Sequence, residues 1–287
     1  MKYFKILRPW QWLKNTLIFI PYILGKERYG ADILEVINVF LIFSLFVSST
    51  YIFNDIKDKG LDKLHPYKKN RPIASGKLEV KSATIFGLLI FISTLFSSYL
   101  VNQITLFYFL IYAFLTLLYT YKAKYIFLLD TLFVSLMFTI RVLIGESVSK
   151  IDSTIYLLFF IFFISSILST SKKISILNTK SISNGNVYYH LLEKQNQNLR
   201  FSTLYTIFSI FSIGTLVLWL LHLRENISIL RQSFLLLSIF GFIVFLIYIF
   251  KLSNLGFLED FSLGIFKNKI LLFLSSVIVI CFCIGYF

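Results

Sequence analysis

The sequence predicts an all-α polytopic membrane protein. Of its 287 residues, 57% are hydrophobic and only 15% are charged, with 33 Phe and a mean hydropathy of +0.79. A soluble fold cannot bury so much apolar surface, so the lipid bilayer must solvate most of these side chains. No fixed-period repeat, low-complexity tract or long linker divides the chain. We therefore expect a single membrane domain over residues 1–287.

Apolar runs mark the predicted transmembrane helices. A helix needs roughly 17 to 25 residues to cross about 30 Å of hydrocarbon. Nine apolar runs of roughly this length can be drawn, approximately at residues 10–24, 33–53, 80–100, 104–121, 126–144, 153–170, 202–221, 231–250 and 269–287. The first run has the shortest apolar core, because Arg8, Lys14 and Asn15 dilute it.

Basic residues predict the orientation. If the amino terminus is cytoplasmic, 22 of the 28 Lys and Arg residues fall in cytoplasmic segments and five fall outside. Cytoplasmic connections carry such an excess of positive charge in bacterial-type inner membranes. This distribution also explains the net charge of +14 without nucleic acid as a partner. Two cytoplasmic connections, residues 54–80 and 171–199, are long enough to be binding loops, and we expect both to be partly helical caps.

The first of these connections begins with four oxygen-bearing side chains, Asn54, Asp55, Asp58 and Asp62. On a helix these positions share one face, where three bare carboxylates would repel one another. Mg²⁺ relieves such repulsion, and it typically binds one or two carboxylates together with water and substrate phosphates. The motif therefore favours a metal-bound pyrophosphate at a membrane face. The alternative is a solvated juxtamembrane loop whose acids offset neighbouring lysines.

Basic residues on the same membrane face are candidate phosphate ligands. Lys68 and Arg71 follow the acidic motif, and Lys122 precedes the fifth apolar run. Arg8 and Lys14 flank interfacial aromatic residues in a pattern suited to holding a phosphate. Ordinary positive-inside anchoring explains Lys122 equally well, and a membrane-interface anchor explains Arg8 and Lys14.

Two ionisable residues, Asp130 and Arg141, lie within the fifth apolar run. At about 100° per residue, their separation of eleven places returns them to within about 20° of the same helix face. Ionisable groups inside a span are costly unless they face a polar cavity or a partner. We therefore expect this stripe to face a substrate cavity. The alternatives are a structural pair, or an Arg141 side chain that extends towards Glu146 at the outer rim.

Taken in order, these motifs resemble the UbiA superfamily of intramembrane prenyltransferases, and most closely its branch of polyprenyl-phosphate phosphoribosyltransferases. The resemblance rests on residues 7–15, 54–62, 65–66, 68, 71–76, 119–122, 129–130, 141, 145 and 259–260. It implies a bundle of nine transmembrane helices around a central cavity with cytoplasmic capping loops. Aromatic-acceptor members typically carry a second DxxxD motif, whereas here Val134 stands four residues after Asp130. That difference favours the phosphoribosyl branch.

The resemblance implies a Mg²⁺-dependent transfer from phosphoribosyl pyrophosphate to a polyprenyl phosphate lipid in the membrane. Asp55, Asp58 and Asp62 would hold the metal, and Asn54 would orient one of them or a ribose hydroxyl. The candidate substrate-binding residues are Arg8, Lys14, Lys68, Arg71, Tyr119, Lys122, Asp130 and Arg141.

Three other functions remain open from the sequence. The first is an aromatic or quinone-precursor prenyltransferase of the same fold, in which Mg²⁺ ionises an allylic diphosphate. The second is a transporter or channel, in which Asp130 and Arg141 would be pathway residues. Against it, the acidic cluster lies at one membrane face, and no inverted halves are evident. The third is a structural membrane scaffold, which would not depend on the aspartates.

Overall fold

The computed structural model describes residues 2–25, 32–65, 68–178, 197–223, 228–258 and 268–287. Every regular element in these ranges is helical, which confirms the predicted all-α class. The described residues divide into two compact units, one on each side of the Ser153 to Thr154 bond. The single domain predicted over residues 1–287 stays a prediction.

The first unit contains an amino-terminal segment and four long helices. Its elements in order are α1 (Lys2–Leu7), a 3₁₀ helix (Pro9–Phe19), α2 (Ile20–Leu24), α3 (Ile33–Lys57), α4 (Lys59–Leu64), a 3₁₀ turn (Lys68–Asn70), α5 (Val80–Val101), α6 (Gln103–Tyr121), a 3₁₀ turn (Ala123–Tyr125) and α7 (Phe127–Ser149). The predicted connection 54–80 is therefore partly helical, as expected, in its described part.

Helix α3 is central to this unit, because it contacts α5, α6, α7 and the amino-terminal 3₁₀ helix. Its Phe43 and Phe46 are fully buried and pack against Phe109 and Tyr112 of α6. Their ring centroids are 4.8 to 6.1 Å apart, within the range that favours aromatic pairs. This core holds the helix that carries the acidic motif at its end.

The acidic motif lies where α3 gives way to α4. The helix extends beyond the predicted residue 53 to Lys57, so Asn54 and Asp55 are helical. Asp58 joins the two helices with φ −87° and ψ 4°. Its amide donates to the carbonyl of Asn54 at 2.9 Å, and its own carbonyl accepts from the amide of Asp62 at 2.8 Å. Helical hydrogen bonding thus continues across the junction.

The second unit contains α8 (Ile155–Asn178), α9 (Gln197–Leu223), α10 (Ile229–Asn254) and α11 (Lys269–Tyr286). Helix α8 packs against α9 and α10, and α10 packs against α11. Helix α8 extends eight residues beyond the predicted end at residue 170, so the predicted connection 171–199 is helical in its first described part, as expected. The Glu259-Asp260 segment and Pro66, which contribute to the resemblance, lie outside the described residues.

Eight helices among the described residues are long and apolar enough to cross a membrane, namely α3 and α5 to α11. Each coincides with a predicted span, and together they make the chain an integral membrane protein. The remaining predicted span, residues 10–24, is a 3₁₀ helix followed by the five-residue α2. Pro21 lacks the amide that a continuous helix would use there. The predicted count of nine is therefore not confirmed.

Candidate functional site

The predicted acidic residues and three basic residues meet at the end of α3. Asp55 lies in the last turn of this helix with 3% of its area exposed. Arg8 Nη2 lies 2.5 Å from each of its carboxylate oxygens. Arg71 Nη1 donates to Oδ1 of the same residue at 3.0 Å. Two guanidinium groups, 63 residues apart in the chain, therefore converge on one buried carboxylate.

Arg71 joins Asp55 to Asp62. The same Nη1 atom that contacts Asp55 lies 2.6 Å from Asp62 Oδ2. A guanidinium Nη carries two N–H groups, so each carboxylate receives one. The shared cation offsets the repulsion between these two buried acids, which are 3% and 4% exposed.

The turn after Arg71 fixes its position. Ile73 is 1% exposed and packs in a small apolar cluster with Ile6 and Ile52. Gly76 has φ +76°, a backbone conformation that glycine adopts without steric cost. The amide of Gly76 donates to the carbonyl of Ile73 at 3.2 Å, which closes the turn. The Arg71-Pro-Ile-Ala-Ser-Gly76 sequence thus anchors the arginine beside the aspartates.

Asp58 has a different set of partners. Lys124 Nζ lies 2.6 Å from its Oδ1, and Asn54 Nδ2 donates to its Oδ2 at 3.2 Å. Thr120 Oγ1 donates to Asn54 Oδ1 at 3.2 Å. The hydroxyl of Thr120 therefore orients the Asn54 amide with its NH₂ group towards Asp58.

Within the face that the sequence predicts, the motif divides into two groups that have different partners. Asp55 and Asp62 are seven residues apart, which places them about 20° apart on a helix. Asn54 and Asp58 are four apart, about 40° on a helix, and lie to one side of the first pair. The first pair is bound by Arg8 and Arg71, the second by Lys124.

The other predicted phosphate ligands, Lys14, Lys68 and Lys122, are not among the basic residues that form ion pairs with the aspartates in the described part of the chain. Lys68 is half-buried, and its backbone amide donates to His65 Nδ1 at 3.3 Å, so the histidine acts as a loop hydrogen-bonding group. Lys14 is half-buried on the 3₁₀ helix. Lys122 is exposed, and the lysine beside Asp58 is Lys124. Lys124 was not among the ligands predicted from the sequence, and the signal that could have pointed to it is its position four residues after Thr120.

Three further candidates are Tyr119, Asp130 and Arg141. Tyr119 is half-buried on α6 and packs against the aromatic core of the first unit. Asp130 is 7% exposed in the first turn of α7. Arg141 is 2% exposed and is surrounded by neutral partners. Within the described ranges, no carboxylate lies within the 4.0 Å ion-pair distance of Arg141, so the predicted pairing or approach to Glu146 is not found.

The chemistry of the aspartates fits a hard divalent cation. In the part of the chain that the structure describes, no three carboxylate, imidazole or thiolate groups are arranged to hold a metal by themselves. Mg²⁺ needs only one or two carboxylates when water and phosphate oxygens complete its octahedral shell. The residues present therefore fit a metal that binds together with a phosphate-bearing ligand.

Comparisons with known proteins agree with this fold. Residues 19–230 match the sequence model of the UbiA prenyltransferase family. The decaprenyl-phosphate phosphoribosyltransferase of Mycolicibacterium smegmatis is 30% identical over 203 residues, which cover 69% of this chain and 64% of that protein. The digeranylgeranylglyceryl phosphate synthase of Sulfurisphaera tokodaii is 28% identical over 129 residues, covering 45% and 42%.

Solved structures show the same fold. A UbiA homolog from Archaeoglobus fulgidus bound to GPP and Mg²⁺ has a TM-score of 0.66 at 15% sequence identity, covering 100% of this chain and 98% of that chain. Among the first curated relatives, the matched region spans 31% to 64% of each relative's own length. At these identities, the structural likeness establishes the arrangement of helices.

Proposed function

The chain belongs to the UbiA prenyltransferase family of membrane transferases, and on that premise we propose that it is a phosphoribosyltransferase. The proposed reaction moves the 5-phosphoribosyl group of phosphoribosyl pyrophosphate to a membrane polyprenyl phosphate and releases pyrophosphate. The observation that carries this proposal is the interleaving of Asp55, Asp58 and Asp62 with three basic side chains at the end of α3. Such a site suits a diphosphate that brings a divalent cation with it.

Two observations favour phosphoribosyl pyrophosphate over a prenyl diphosphate as the donor. Val134 stands where a second aspartate pair would need a carboxylate after Asp130. A clamp of two metal clusters on an allylic diphosphate therefore lacks one of its expected ligands. The M. smegmatis relative at 30% identity carries a phosphoribosyltransferase name, which points to the same donor.

We assign the metal to Asp55, Asp58 and Asp62. When bound, Mg²⁺ would neutralise charge on the diphosphate and make it a better leaving group. Asn54, oriented by Thr120, would fix Asp58 or contact a ribose hydroxyl.

The basic residues would change partners when the donor binds. In the structure, Arg8, Arg71 and Lys124 neutralise the three carboxylates. A metal on those carboxylates would release the cations, and donor phosphates would offer them new acceptors. Arginine is suited to this exchange because its planar N–H groups bind carboxylate and phosphate alike. Lys68 and Lys14 are proposed as further phosphate ligands.

The transfer itself needs no protein nucleophile. An oxygen of the polyprenyl phosphate forms a bond to the anomeric carbon as the bond from that carbon to the pyrophosphate oxygen breaks. The pyrophosphate leaves with the electron pair. The transition state resembles an oxocarbenium ion, so the protein contributes placement of the acceptor and stabilisation of the departing charge. Asp130 and Tyr119 are proposed to contact the ribose or the acceptor, and we place this reaction at the cytoplasmic face of the inner membrane.

A second candidate is transfer of a prenyl group from a prenyl diphosphate to a small acceptor. The S. tokodaii relative and the A. fulgidus homolog bound to GPP favour it. The same aspartates and basic residues would serve a prenyl diphosphate, because both donors share the leaving group.

A two-donor experiment separates the candidates. Purified protein in liposomes receives Mg²⁺ with either labelled phosphoribosyl pyrophosphate and polyprenyl phosphate, or labelled prenyl diphosphate and an aromatic acid. We expect labelled lipid from the first pair and none above background from the second. Label transferred only from prenyl diphosphate would replace the proposed function with the second candidate.

A further inference from the structure

The amino-terminal segment, residues 8–19, makes hydrogen bonds to one side of α3 at three positions along the helix. Each contact joins a polar side chain of the segment to a polar side chain of the helix. The three pairs are Asn15 Nδ2 with Ser44 Oγ at 3.0 Å, Trp12 Nε1 with Ser48 Oγ at 3.0 Å, and Arg8 Nη2 with the Asp55 carboxylate at 2.5 Å.

The length of the segment as a 3₁₀ helix is close to the distance between its outermost contacts on α3. Ser44 and Asp55 are eleven residues apart, which is roughly 16 Å along an α-helix. Seven residues separate Asn15 from Arg8, and as a 3₁₀ helix they extend about 14 Å. The same seven residues would cover only about 10 Å as an α-helix. The 3₁₀ conformation therefore lets one short segment reach both ends of this stripe.

Arg141 of α7 holds the end of the segment that is far from the aspartates. Its Nε donates to Asn15 Oδ1 at 2.9 Å and its Nη2 donates to Tyr112 OH at 3.0 Å. Its Nη1 donates to the carbonyl of Met137. The amide of Asn15 thus links Arg141 to Ser44, and α7 to α3.

Stability alone is a weak reason for a buried arginine here. A buried cation carries a large desolvation cost, and apolar side chains of similar volume often replace buried charged groups without loss of stability. Within the described ranges, the charge of Arg141 faces neutral groups and the rings of Phe43, Tyr112 and Phe138. What the planar guanidinium adds is direction, because its N–H groups fix three partners at once.

The other end of the segment also needs to be held. Arg8 has φ 52° and ψ 57°, the left-handed region, which is sterically unfavourable for a residue with a Cβ. Such a conformation persists only where the surroundings determine it. The position of Arg8 on Asp55 therefore depends on where the rest of the segment is fixed.

We propose that Arg141 is a positioning residue that sets the register of the Pro9–Phe19 helix on α3 through Asn15, and so places Arg8 at the diphosphate subsite. The inference rests on the proposed function only in taking that subsite to bind a diphosphate. Arg141 acts at a distance of roughly 16 Å along α3 and contacts no substrate. This role replaces the cavity-facing role predicted from the sequence.

Pyrophosphate binding in the presence of Mg²⁺ tests the proposal. Calorimetry on the full chain in detergent compares wild type with Arg141→Met, Arg8→Gln and the double variant. We expect Arg141→Met to weaken pyrophosphate affinity about tenfold. The double variant should bind no more weakly than Arg8→Gln alone, because Arg141 acts through Arg8. Multiplied losses in the double variant, or unchanged affinity in Arg141→Met, would overturn the proposal.

Two further comparisons exclude a merely structural effect. Asn15→Leu removes the same link from the other side and should weaken binding as Arg141→Met does, whereas Asn15→Asp keeps an acceptor for Arg141 and should retain most of the affinity. Arg231→Met removes an exposed arginine of the second unit and should leave binding unchanged. Equal losses in Asn15→Asp and Asn15→Leu would overturn the proposal. Wild-type protein that binds no pyrophosphate would overturn the proposed function, and the inference with it.

Discussion

Lys124 Nζ lies 2.6 Å from Asp58 Oδ1, although 66 residues separate the two in the chain. The lysine side chain is 8% exposed and that of the aspartate 19%. Arg8 and Arg71 contact Asp55, and Lys124 contacts Asp58. Both groups of the acidic motif therefore have cationic partners. The site is therefore electrostatically balanced before any donor binds.

Lys124 and Lys122 make a matched pair for mutation. Lys124→Met leaves Asp58 without its cation and deprives the donor phosphates of one. We expect a loss of about 30-fold or more in kcat/KM, because truncating one partner of a buried charge pair costs about 2 kcal/mol or more. Lys122→Met should cost about threefold or less, since Lys122 is exposed. A larger loss for Lys122→Met would show that the sequence prediction chose the right lysine.

Arg71→Gln should affect metal and diphosphate in opposite directions. The substitution removes the cation that Asp55 and Asp62 share, so Mg²⁺ alone should bind about tenfold more tightly, equivalent to about 1.4 kcal/mol. Pyrophosphate in the presence of Mg²⁺ should bind more weakly, because a phosphate ligand is lost. Calorimetric titration with Mg²⁺ and then with pyrophosphate measures both. Tighter pyrophosphate binding in the variant would contradict the proposed exchange of partners.

Gly145 is a point of close approach between α7 and the amino-terminal segment. A Cβ at this position would lie 2.2 Å from the carbonyl oxygen of Ile18 and 3.0 Å from Pro21 Cδ. Gly145→Ala should therefore lower the unfolding temperature in detergent, with a destabilisation of about 1 to 3 kcal/mol from overpacking. Its counterpart is Gly214→Ala on α9, where a Cβ meets nothing within 4 Å. That variant should unfold at the same or a higher temperature, because alanine favours the helix. Equal unfolding temperatures for the two variants would contradict the close contact.

The sequence predicted the membrane-spanning helices well because their signal is local. Eight spans agree with the helices in position, from residue 33 to residue 286. The span predicted at residues 10–24 is helical but not confirmed as membrane-spanning. An apolar run does not reveal whether the backbone winds as an α-helix or a 3₁₀ helix. Helix α8 extends past residue 170, because polar residues there continue the helix instead of ending it.

The site was predictable where it depends on spacing within one helix. The turn of about 100° per residue places Asn54, Asp55, Asp58 and Asp62 on one helix face from sequence alone. Their division into two groups depends on which basic residues of distant segments contact them. Contacts between distant segments were not predictable. Arg141 and Asn15 are 126 residues apart, so a pattern within α7 alone could not reveal this contact.

Removal of divalent metal should abolish pyrophosphate binding. Without Mg²⁺, the diphosphate would approach Asp55, Asp58 and Asp62 with like charge, and the three basic residues would remain on the carboxylates. We expect chelator-treated protein to show no measurable pyrophosphate affinity, and added Mg²⁺ to restore it. Calorimetry with and without chelator makes the comparison. Undiminished binding in the chelated sample would mean that Arg8, Arg71 and Lys124 hold the phosphates alone.

Pyrophosphate release by the purified protein in liposomes tests the role of the aspartates most directly. The assay compares wild type, Asp55→Asn and Asp58→Asn, with unfolding temperatures measured to confirm that each variant is folded. We predict release from phosphoribosyl pyrophosphate that requires both Mg²⁺ and polyprenyl phosphate and falls at least about 100-fold in folded Asp55→Asn and Asp58→Asn. Release that continues at the wild-type rate in both folded variants would contradict the assignment of these carboxylates to the metal and diphosphate.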